Sequence, residues 1–552
     1  MAGPFFRNRV QEQSTSTGTG AFQLLGAVTS YKTFVGAVGN GNTCYCMIEH
    51  TTTPEWELST VTVNDATPDT LTRTAANVID GSQGPGVLVS FTAGAKNCFI
   101  PPTEDALNNA LPQQNNIDFA GFQAVRMALH NGTSLPASPA EAAPFVLSAT
   151  GRRLLEVYSG AAWRSLFSFG TTTFYVNGTL GTDSPEKGTG TGTNAFRTIQ
   201  YAVDQIPGSN AGSVTINVAS GTYREQVTIR GKAYTGDYSI TIEGEWQSLA
   251  GNMTATSGAN GGGSGSAGFG TLTRTGSGWL TNEFQRDYVE VFAGTGSGQT
   301  RLIHSNTATV LTIVGRWDTV PDATSQFRIN RLITIINGGD TDAEATRPYC
   351  VYVPAGQRAV TVRKIKATLA GTAAFQAETG GDLTLYYCQA TNSPSNFFYK
   401  SFATGNLFDC SASGATVNGD LLVFDNAFLN EVNRCRFTST VGYGVYNQGG
   451  NIALLAATYI SGQSEGIFVD QLGKAVLFGY NEVAGCAANG VHVTGGSQVI
   501  QNTGTDQRLI NNGGWGLASD GGGRCVGAST FTFSGNASGT YTPITDIAGG
   551  NT

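Results

Sequence analysis

Short apolar runs recur at a nearly constant interval between residues 375 and 540. Within a run, apolar and polar positions alternate, as in Val491-His492-Val493-Thr494, and Gly, Asn and Ser separate one run from the next. Such alternation indicates short, half-buried β-strands. A period of roughly 20 to 50 residues is typical of solenoids and other repeat proteins. The apolar anchor positions lie 22 to 26 residues apart, at Phe375, Phe398, Leu422, Val445, Ile467, Val491 and Leu517.

A second column follows about a dozen residues after the anchors, at Cys388, Cys410, Cys435 and Thr458. No segment of the repeat has helical periodicity, so several short strands per coil predict a parallel β-helix. Parallel crossover connections are almost always right-handed. We therefore expect a mainly β protein, with an N-terminal all-β module followed by a right-handed parallel β-helix that carries an inserted β-hairpin region.

The rest of the chain divides where turn-rich and Gly-rich sequence interrupts the alternating runs. The expected organisation is an extended N-terminal arm (1–20), an all-β module (21–112), a connector with a β-hairpin (113–170), the opening of the β-helix with a capping helix (171–249), a Gly-rich and β-hairpin insertion (250–335), the parallel coils (336–540) and a C-terminal tail (541–552).

Three local elements are predicted within these segments. Residues 103–111 are compatible with a short helix, and two β-prone runs flank a hairpin turn at Ser159-Gly160. Asn194 is placed to cap a helix over residues 195–206, which would cover the open sheet edge of the first coil. One face of that helix carries Phe196, Ile199, Ala202, Val203 and Ile206.

The N-terminal hundred residues resemble an attachment module of tailed-bacteriophage structural proteins. That family's module precedes variable fibre or spike segments and fixes them to the particle. The motifs that carry the resemblance follow one another in order: Gly18-Thr19-Gly20, Gly26-Ala27-Val28, Tyr31-Lys32-Thr33-Phe34, Glu55-Trp56-Glu57, Leu71-Thr72-Arg73 and Phe91-Thr92-Ala93-Gly94-Ala95-Lys96.

The start of the second large part resembles the opening of pectate-lyase-like β-helices, including phage tailspikes. A strand, a capping helix, Ala219-Ser220-Gly221-Thr222-Tyr223 and a Val-Thr-Ile strand come in that order. The two resemblances together imply a virion protein that forms a homotrimer, contacts other virion proteins through its N-terminal module and meets a host cell-surface glycan or receptor.

Composition narrows the possible partners. Charged residues make up 13% of the chain, the net charge is −8, and no run is rich in Lys or Arg, which argues against a nucleic-acid partner. Residues 1–20 lack a signal-peptide core, and no apolar run is long enough for a membrane span. We expect a protein made in the host cytoplasm, without membrane insertion, that ends up in the virion.

Nine cysteines are scattered through the sequence, three of them at coil spacing. Two interpretations remain open, namely reduced apolar fillers of the core and a set of structural disulfides. The four histidines lie far apart, so no metal site is expected through them. No cofactor is expected either, because the Gly-rich runs near 261 and 294 lack the lysine and the following helix of a phosphate loop. Residues 462–466 match a G-x-S-x-G pattern, but a coil turn is not the strand-to-helix elbow that a nucleophilic serine needs.

The candidate site follows from the phase of the repeat. If the anchors point inward, residues one and three positions later point outward. One outer face would then carry rings beside carboxylates, as a carbohydrate site or a subunit interface requires. The candidate residues for either role are Glu378, Tyr399, Tyr446, Phe468, His492 and Asp520.

Asp425 and Asp470 are the candidate catalytic pair. Carboxylates two coils apart would be separated by roughly 9.6 Å, from a strand spacing of about 4.8 Å. That separation is near the upper limit for inverting glycoside hydrolysis, about 6.5 to 9.5 Å. The acids are also compatible with ordinary solvated surface, and a register slip of one residue would turn every side chain over.

The function expected from these observations is a virion fibre or spike. Its N-terminal module attaches to the phage particle and its β-helix engages the host surface. Two alternatives stay open. One is a tailspike depolymerase, a glycoside hydrolase or lyase that cleaves host surface polysaccharide. The other is a capsid decoration fibre whose activity is weak adhesion.

Overall fold

The computed structural model describes residues 5, 7–101, 131–132, 144–149, 152–159, 162–168, 171–234, 238–261, 269–339, 346–502, 506–527 and 531–541. The chain divides into two compact units, residues 1–127 and 128–552. The helix predicted over 103–111 and all but the first residue of the predicted C-terminal tail lie outside the described residues.

The N-terminal unit is built on a seven-stranded antiparallel sheet. One short helix, Phe34–Val38, begins where the hydroxyl of Thr33 accepts a hydrogen bond from the Gly36 N–H. The first strand pairs with the last, so part of the predicted extended arm belongs to the sheet. The strands are Gln11–Ser14, Phe22–Gln23, Thr43–His50, Trp56–Asn64, Thr70–Thr72, Val78–Gly81 and Lys96–Phe99.

A buried ion pair joins three of the N-terminal sequence motifs. Nη1 of Arg73 lies 2.6 Å from Oε2 of Glu57, and both side chains are fully buried. The Arg73 guanidinium also donates to the carbonyls of Gly18 and Gly20 and lies 4.4 Å over the ring of Phe22. These motifs therefore have a structural explanation, because a buried charge needs this full set of partners.

The larger unit is a β-solenoid of three parallel sheets, which we call sheets A, B and C in the order in which the chain visits them. Each coil adds one strand to each sheet. The described strands of sheet A are Thr172–Val176, Val214–Val218, Ile240–Glu243, Val360–Arg363, Asp382–Tyr386, Thr404–Phe408, Phe428–Asn433, Asn451–Ala456, Lys474–Phe478, Gln498–Gln501 and Arg524–Val526.

Sheets B and C each contain ten described strands. Those of sheet B are Gly221–Tyr223, Thr334–Asn337, Lys366–Thr368, Gln389–Thr391, Ser411–Ser413, Arg436–Phe437, Tyr459–Ser461, Tyr480–Ala484, Asp506–Ile510 and Phe531–Ser534. Those of sheet C are Val227–Thr228, Tyr349–Val353, Ala373–Glu378, Ser395–Lys400, Gly419–Phe424, Tyr443–Gln448, Glu465–Asp470, Val491–Val493, Trp515–Ser519 and Gly539–Tyr541.

The solenoid interior is one continuous apolar core. All nine cysteines of the chain are free and buried, which confirms that they fill the core rather than form disulfides. Cys388, Cys410 and Cys435 follow one another from coil to coil, and Thr458 continues the column, fully buried. Burial raises the pKa of the Cys410 thiol well above its ordinary range.

A short helix covers the end of the solenoid. It spans Ile199–Asp204 and contacts the first strands of sheets A and C. It begins later than predicted, since the hydroxyl of Thr198 caps it and Asn194 lies in a preceding 3-10 turn. The carboxylate of Glu225 accepts hydrogen bonds from the first helical N–H groups. All five predicted face residues are buried: Phe196, Ile199, Ala202, Val203 and Ile206.

The hairpin predicted around Ser159-Gly160 is present, as Arg152–Ser159 pairs antiparallel with Ala162–Ser168. It belongs to a six-stranded sheet. The other strands of that sheet are Asn131–Gly132, Pro144–Ala149, Ser209–Asn210 and Ala233–Tyr234.

The inserted region is larger than the predicted hairpin. It forms a seven-stranded antiparallel sheet with its own apolar core, between the third strand of sheet A and the second strand of sheet B. It packs on sheet B, where Phe269 contacts the rings of Tyr459 and Tyr480. Its strands are Trp246–Thr254, Ser257–Asn260, Gly270–Thr273, Tyr288–Ala293, Thr300–Asn306, Val310–Ile313 and Gln326–Leu332.

The predicted fold class is confirmed by this arrangement. The protein is mainly β, with an N-terminal antiparallel sheet and a parallel β-helix that carries an inserted antiparallel region.

Candidate functional site

The register of sheet C decides which side chains reach the surface. Phe375 pairs with Phe397, and Phe397 pairs with Leu421. The predicted anchors Phe398 and Leu422 therefore lie one residue beyond the inward positions in their coils. From Val445 onward the inward positions coincide with the predicted anchors: Val445, Ile467, Val491 and Leu517.

This one-residue difference in register, the register slip, places Tyr399 in the core and not on the predicted outer face. Tyr399 is fully buried, and its hydroxyl donates to the carbonyl of Leu383 at 2.9 Å. Burial also raises the pKa of that hydroxyl well above its ordinary range. Tyr399 is thus a core residue, not part of a surface site.

The slip also separates Asp425 from the column of Asp470. Asp470 pairs with Gln448 of the preceding coil in sheet C. In the coil before that, Val423 pairs with Asn447, so Phe424 is the residue level with Gln448 and Asp470. Asp425 lies one residue later, exposed in a turn with a φ of 53°. The structure therefore does not align the two carboxylates in one row, and their role as a catalytic pair stays a prediction.

The outer face of sheet C carries a continuous set of partly exposed rings, which we call the aromatic patch. Phe398 contacts Phe424 at 5.2 Å between ring centroids, and Phe424 contacts Tyr446 at 4.8 Å. Phe468 lies 5.1 Å from Tyr446 and 5.0 Å from His492. The patch consists of Phe398, Phe424, Tyr443, Tyr446, Phe468 and His492.

Three of these rings, Tyr446, Phe468 and His492, were predicted from the sequence. The sequence pattern places Phe398 at an inward anchor, and the same phase turns Phe424 inward, two residues after Leu422. Tyr443 was missed because it lies in a neighbouring column of the same strand, two residues before Val445, and only the pairing between coils brings its ring to Phe468 at 5.1 Å.

Glu378 lies at the same outer face, one strand before Phe398. Its carboxylate accepts hydrogen bonds from the Tyr352 hydroxyl and from Gln376, and lies 3.3 Å from Nζ of Lys400. Burial acts to raise the pKa of Glu378, but the hydrogen bonds from Tyr352 and Lys400 outweigh it and lower that pKa.

At the other end of the patch, His492 bridges two carboxylates from neighbouring coils. Nδ1 lies 3.0 Å from Oε2 of Glu465, and Nε2 lies 3.2 Å from Oδ2 of Asp520. The hydrogen bond with Glu465 raises the pKa of His492 despite its partial burial. A hydrogen bond from Thr494 and the contact with His492 lower the pKa of Asp520. Glu465 is a further site residue that the repeat pattern did not single out.

This arrangement suits the recognition of sugars. Ring faces pack against the apolar faces of pyranose rings, while carboxylates, amides and histidine exchange hydrogen bonds with hydroxyl groups. Within the described ranges, no group of three or more His, Cys, Asp or Glu residues is placed to hold a metal ion. Nor does any helix in those ranges combine the length and the apolar character needed to cross a membrane.

Comparisons with known proteins found only distant structural similarities. No protein-family model matches the chain, and no curated protein matches its sequence significantly. A solved glycoside hydrolase is similar over 67% of this chain and 96% of its own, at 9% identity and a TM-score of 0.23. The pectin methylesterase from Aspergillus niger is similar over 68% and 91%, at 14% identity and a TM-score of 0.23.

The tailspike gp61 of Pseudomonas phage phi297 is similar over 61% of this chain and 67% of its own, at 10% identity and a TM-score of 0.16. Similarities this distant bear on neither the substrate nor the activity of the chain.

Proposed function

We propose that this protein is a spike or fibre of a tailed-phage particle, and that the aromatic patch on sheet C binds a host cell-surface glycan. The N-terminal unit attaches the chain to the particle and the solenoid carries the recognition surface. The observation that carries the proposal is the patch itself, a row of partly exposed rings with polar partners at both ends.

The direction of the patch suits an extended ligand. Its rings come from successive coils, so they repeat at about the 4.8 Å spacing of paired strands. A polysaccharide lying across the strands meets one ring after another, and each contact adds to the affinity. A compact ligand would use only one or two of them.

The chemistry of the patch suits a hydroxylated ligand. An apolar partner would gain little from the Glu378 and Glu465 carboxylates, which would have to be stripped of water on binding. Sugars satisfy both kinds of group, since their hydroxyls donate to carboxylates and their C–H faces cover rings.

Particle attachment rests on the resemblance of the N-terminal motifs. The pair of Glu57 and Arg73 supports the integrity of this unit, because it ties the Gly18, Trp56 and Leu71 segments into one core. The proposed assembly is a homotrimer, as the resemblance to spikes implies. Sedimentation velocity of the full chain tests it, and a monomer mass would contradict it.

A panel of purified bacterial lipopolysaccharides and capsular polysaccharides tests the binding function. The wild-type chain is expected to bind at least one member of the panel, and Tyr446→Ala is expected to reduce that affinity at least tenfold. Tyr238→Ala removes an exposed tyrosine outside sheet C and serves as the control.

Three further observations distinguish the remaining alternatives, namely the oligomeric state of Tyr446→Ala, the length of a bound polysaccharide and antibody labelling of particles. If Tyr446→Ala breaks up the oligomer instead of weakening glycan binding, the patch is a subunit interface and the proposal fails. Shortening of a bound polysaccharide would identify a depolymerase. Particles labelled over the head by an antibody against the chain would identify a decoration fibre.

A further inference from the structure

A cavity of about 490 Å³ opens at the start of the solenoid, far along the chain from the aromatic patch. It lies where the first coils turn from sheet A to sheet B, beneath the segment that leads to the capping helix. Its wall is formed by Tyr175, Asn177, Asn217, Glu243 and Glu245, together with residues 191–192 and 218–220. Ligand pockets usually have volumes of about 300 to 1,000 Å³.

The floor of the cavity depends on a glycine. A Cβ at Gly244 would lie 2.4 Å from the carbonyl oxygen of Lys364 and 2.8 Å from Cβ of Thr334. Only glycine lets the chain pass this close to the next coil while it turns out of sheet A. The turn places Glu243 and Glu245 on the same side, and both reach the cavity.

Both carboxylates are held in position. Oε2 of Glu245 accepts a hydrogen bond from the Ser220 N–H at 2.9 Å, and its own N–H donates to Oγ1 of Thr334 at 2.8 Å. Oε1 of Glu243 lies 2.6 Å from Nζ of Lys364, which also lies 4.6 Å over the ring of Trp246. The lysine offsets one of the two negative charges.

The opposite wall supplies amide groups. Oδ1 of Asn177 accepts hydrogen bonds from the N–H groups of Thr179 and Leu180, at 3.0 and 2.9 Å, which fixes the orientation of this amide. Its Nδ2 remains as a donor, and Asn217 adds a second amide from the next strand of sheet A. The cavity therefore combines donors, acceptors and the ring of Tyr175.

A row of outward side chains leads from the cavity along sheet A. Asn217 pairs with Glu243, Glu243 with Arg363, and Arg363 with Tyr386. The Arg363 guanidinium lies 4.6 Å over the ring of Tyr386, which stacks on Phe408 with centroids 4.9 Å apart. A ligand that begins in the cavity can continue over these stacked groups.

We infer that this cavity is a second carbohydrate site, which takes one uncharged sugar unit and lets the attached chain run over Arg363 and Tyr386. An anionic unit is disfavoured by the two carboxylates. A cationic unit would compete with Lys364 for Glu243. A neutral sugar uses both the amides and the carboxylates and needs no counter-charge. The site is separate from the aromatic patch, so the inference goes beyond the proposed function.

Saturation-transfer NMR on the full chain tests the site with defined probes. The uncharged set is D-glucose, D-galactose, L-rhamnose and N-acetyl-D-glucosamine, and the charged comparators are D-glucosamine and D-glucuronate. At least one uncharged sugar is expected to show saturable transfer. Glu245→Ala and Asn217→Leu are each expected to weaken it at least tenfold, with unchanged circular dichroism.

Two control variants test whether the loss of binding is specific to the cavity. Glu431→Ala removes an outward carboxylate elsewhere on sheet A and is expected to leave binding unchanged. Lys474→Gln removes an exposed cation elsewhere on sheet A and is expected to leave binding unchanged too. The inference is overturned if no uncharged sugar saturates, if only a charged comparator binds, or if the folded Glu245→Ala and Asn217→Leu variants bind as the wild type does.

Discussion

Nδ1 of His492 lies 3.0 Å from Oε2 of Glu465, one coil earlier in sheet C. The other ring nitrogen faces Asp520, one coil later, so a single imidazole links three successive coils at the edge of the aromatic patch. Because both neighbours are acidic, the protonated form of His492 is favoured, and its pKa is raised above the ordinary value of 6.5. The linkage therefore depends on pH.

The first prediction concerns that dependence. A raised folded-state pKa means that the charged histidine stabilises the fold fully below the unfolded pKa, near 6.5, and that this contribution disappears as pH rises through the folded pKa. We expect His492→Gln to melt below the wild type at pH 5 to 6 and close to it at about pH 9. Thermal unfolding across this range measures the difference. A melting difference that stays constant with pH would contradict the assignment, and Lys474→Gln, on the outer side of the neighbouring sheet, serves as the control.

The second prediction concerns the pair of Asp409 and Arg434. Oδ2 of Asp409 lies 2.8 Å from Nη2 of Arg434, and the Asp409 side chain is only 1% exposed. Arg434→Met leaves this carboxylate buried without its cation, which is expected to cost about 3–5 kcal/mol in the free energy of unfolding. Urea unfolding measures the loss.

The matched variant for this pair is the double substitution Asp409→Asn with Arg434→Met. Since it removes the unpaired charge, it is expected to recover more than half of the stability lost in Arg434→Met. If the two substitutions add instead, the ion pair does not hold this part of the solenoid.

The third prediction concerns the N-terminal unit. Arg73→Met leaves the Glu57 carboxylate buried without a cation, and the expected cost is again about 3–5 kcal/mol. Because the chain forms two compact units, calorimetry is expected to show the N-terminal transition lowered and the solenoid transition unchanged. Glu49→Gln, an exposed change in the same sheet, is the control. A shift of both transitions together would contradict independent units.

The fourth prediction concerns the cysteine column. Burial raises the pKa of Cys410 well above its ordinary range, and the side chains of Cys388 and Cys435 are equally buried, so a reagent in solvent does not reach the three thiols. Iodoacetamide is expected to leave these three thiols unmodified in the native chain and to label them after unfolding. Mass spectrometry of peptides gives the result. Rapid labelling under native conditions, or a disulfide between any two of them, would contradict the packing.

The solenoid is predictable from the sequence because most of its strands alternate between apolar and polar positions and its turns recur at a nearly constant interval. The sequence does not determine which residue of a sheet C strand points inward where apolar residues are adjacent, at Phe397-Phe398 and at residues 421–423. Either residue of such a pair fits an inward position, and only pairing with Phe375 and Val445 decides between them. The misplacement of Tyr399 and Asp425 follows from this one ambiguity.

The start of the capping helix and the strands of the insertion could not be predicted from the sequence, because tertiary contacts determine both. Asn194 and Thr198 are both good capping residues, and packing against the first coil decides for Thr198. The Gly- and Ser-rich sequence over 252–270 has the composition of a linker. Yet Ser257–Asn260 pairs with Gly270–Thr273, because the neighbouring strands of the inserted sheet supply a template that composition does not reveal.

The central claim is that a glycan lies on the aromatic patch. Hydroxyl-radical footprinting of the full chain, with and without a bound bacterial surface polysaccharide, tests it most directly. We predict that the polysaccharide protects Tyr443, Tyr446 and Phe468 from oxidation, while the exposed rings of Tyr31 and Tyr238 stay as reactive as before. Binding that leaves all three patch residues unprotected would contradict the claim.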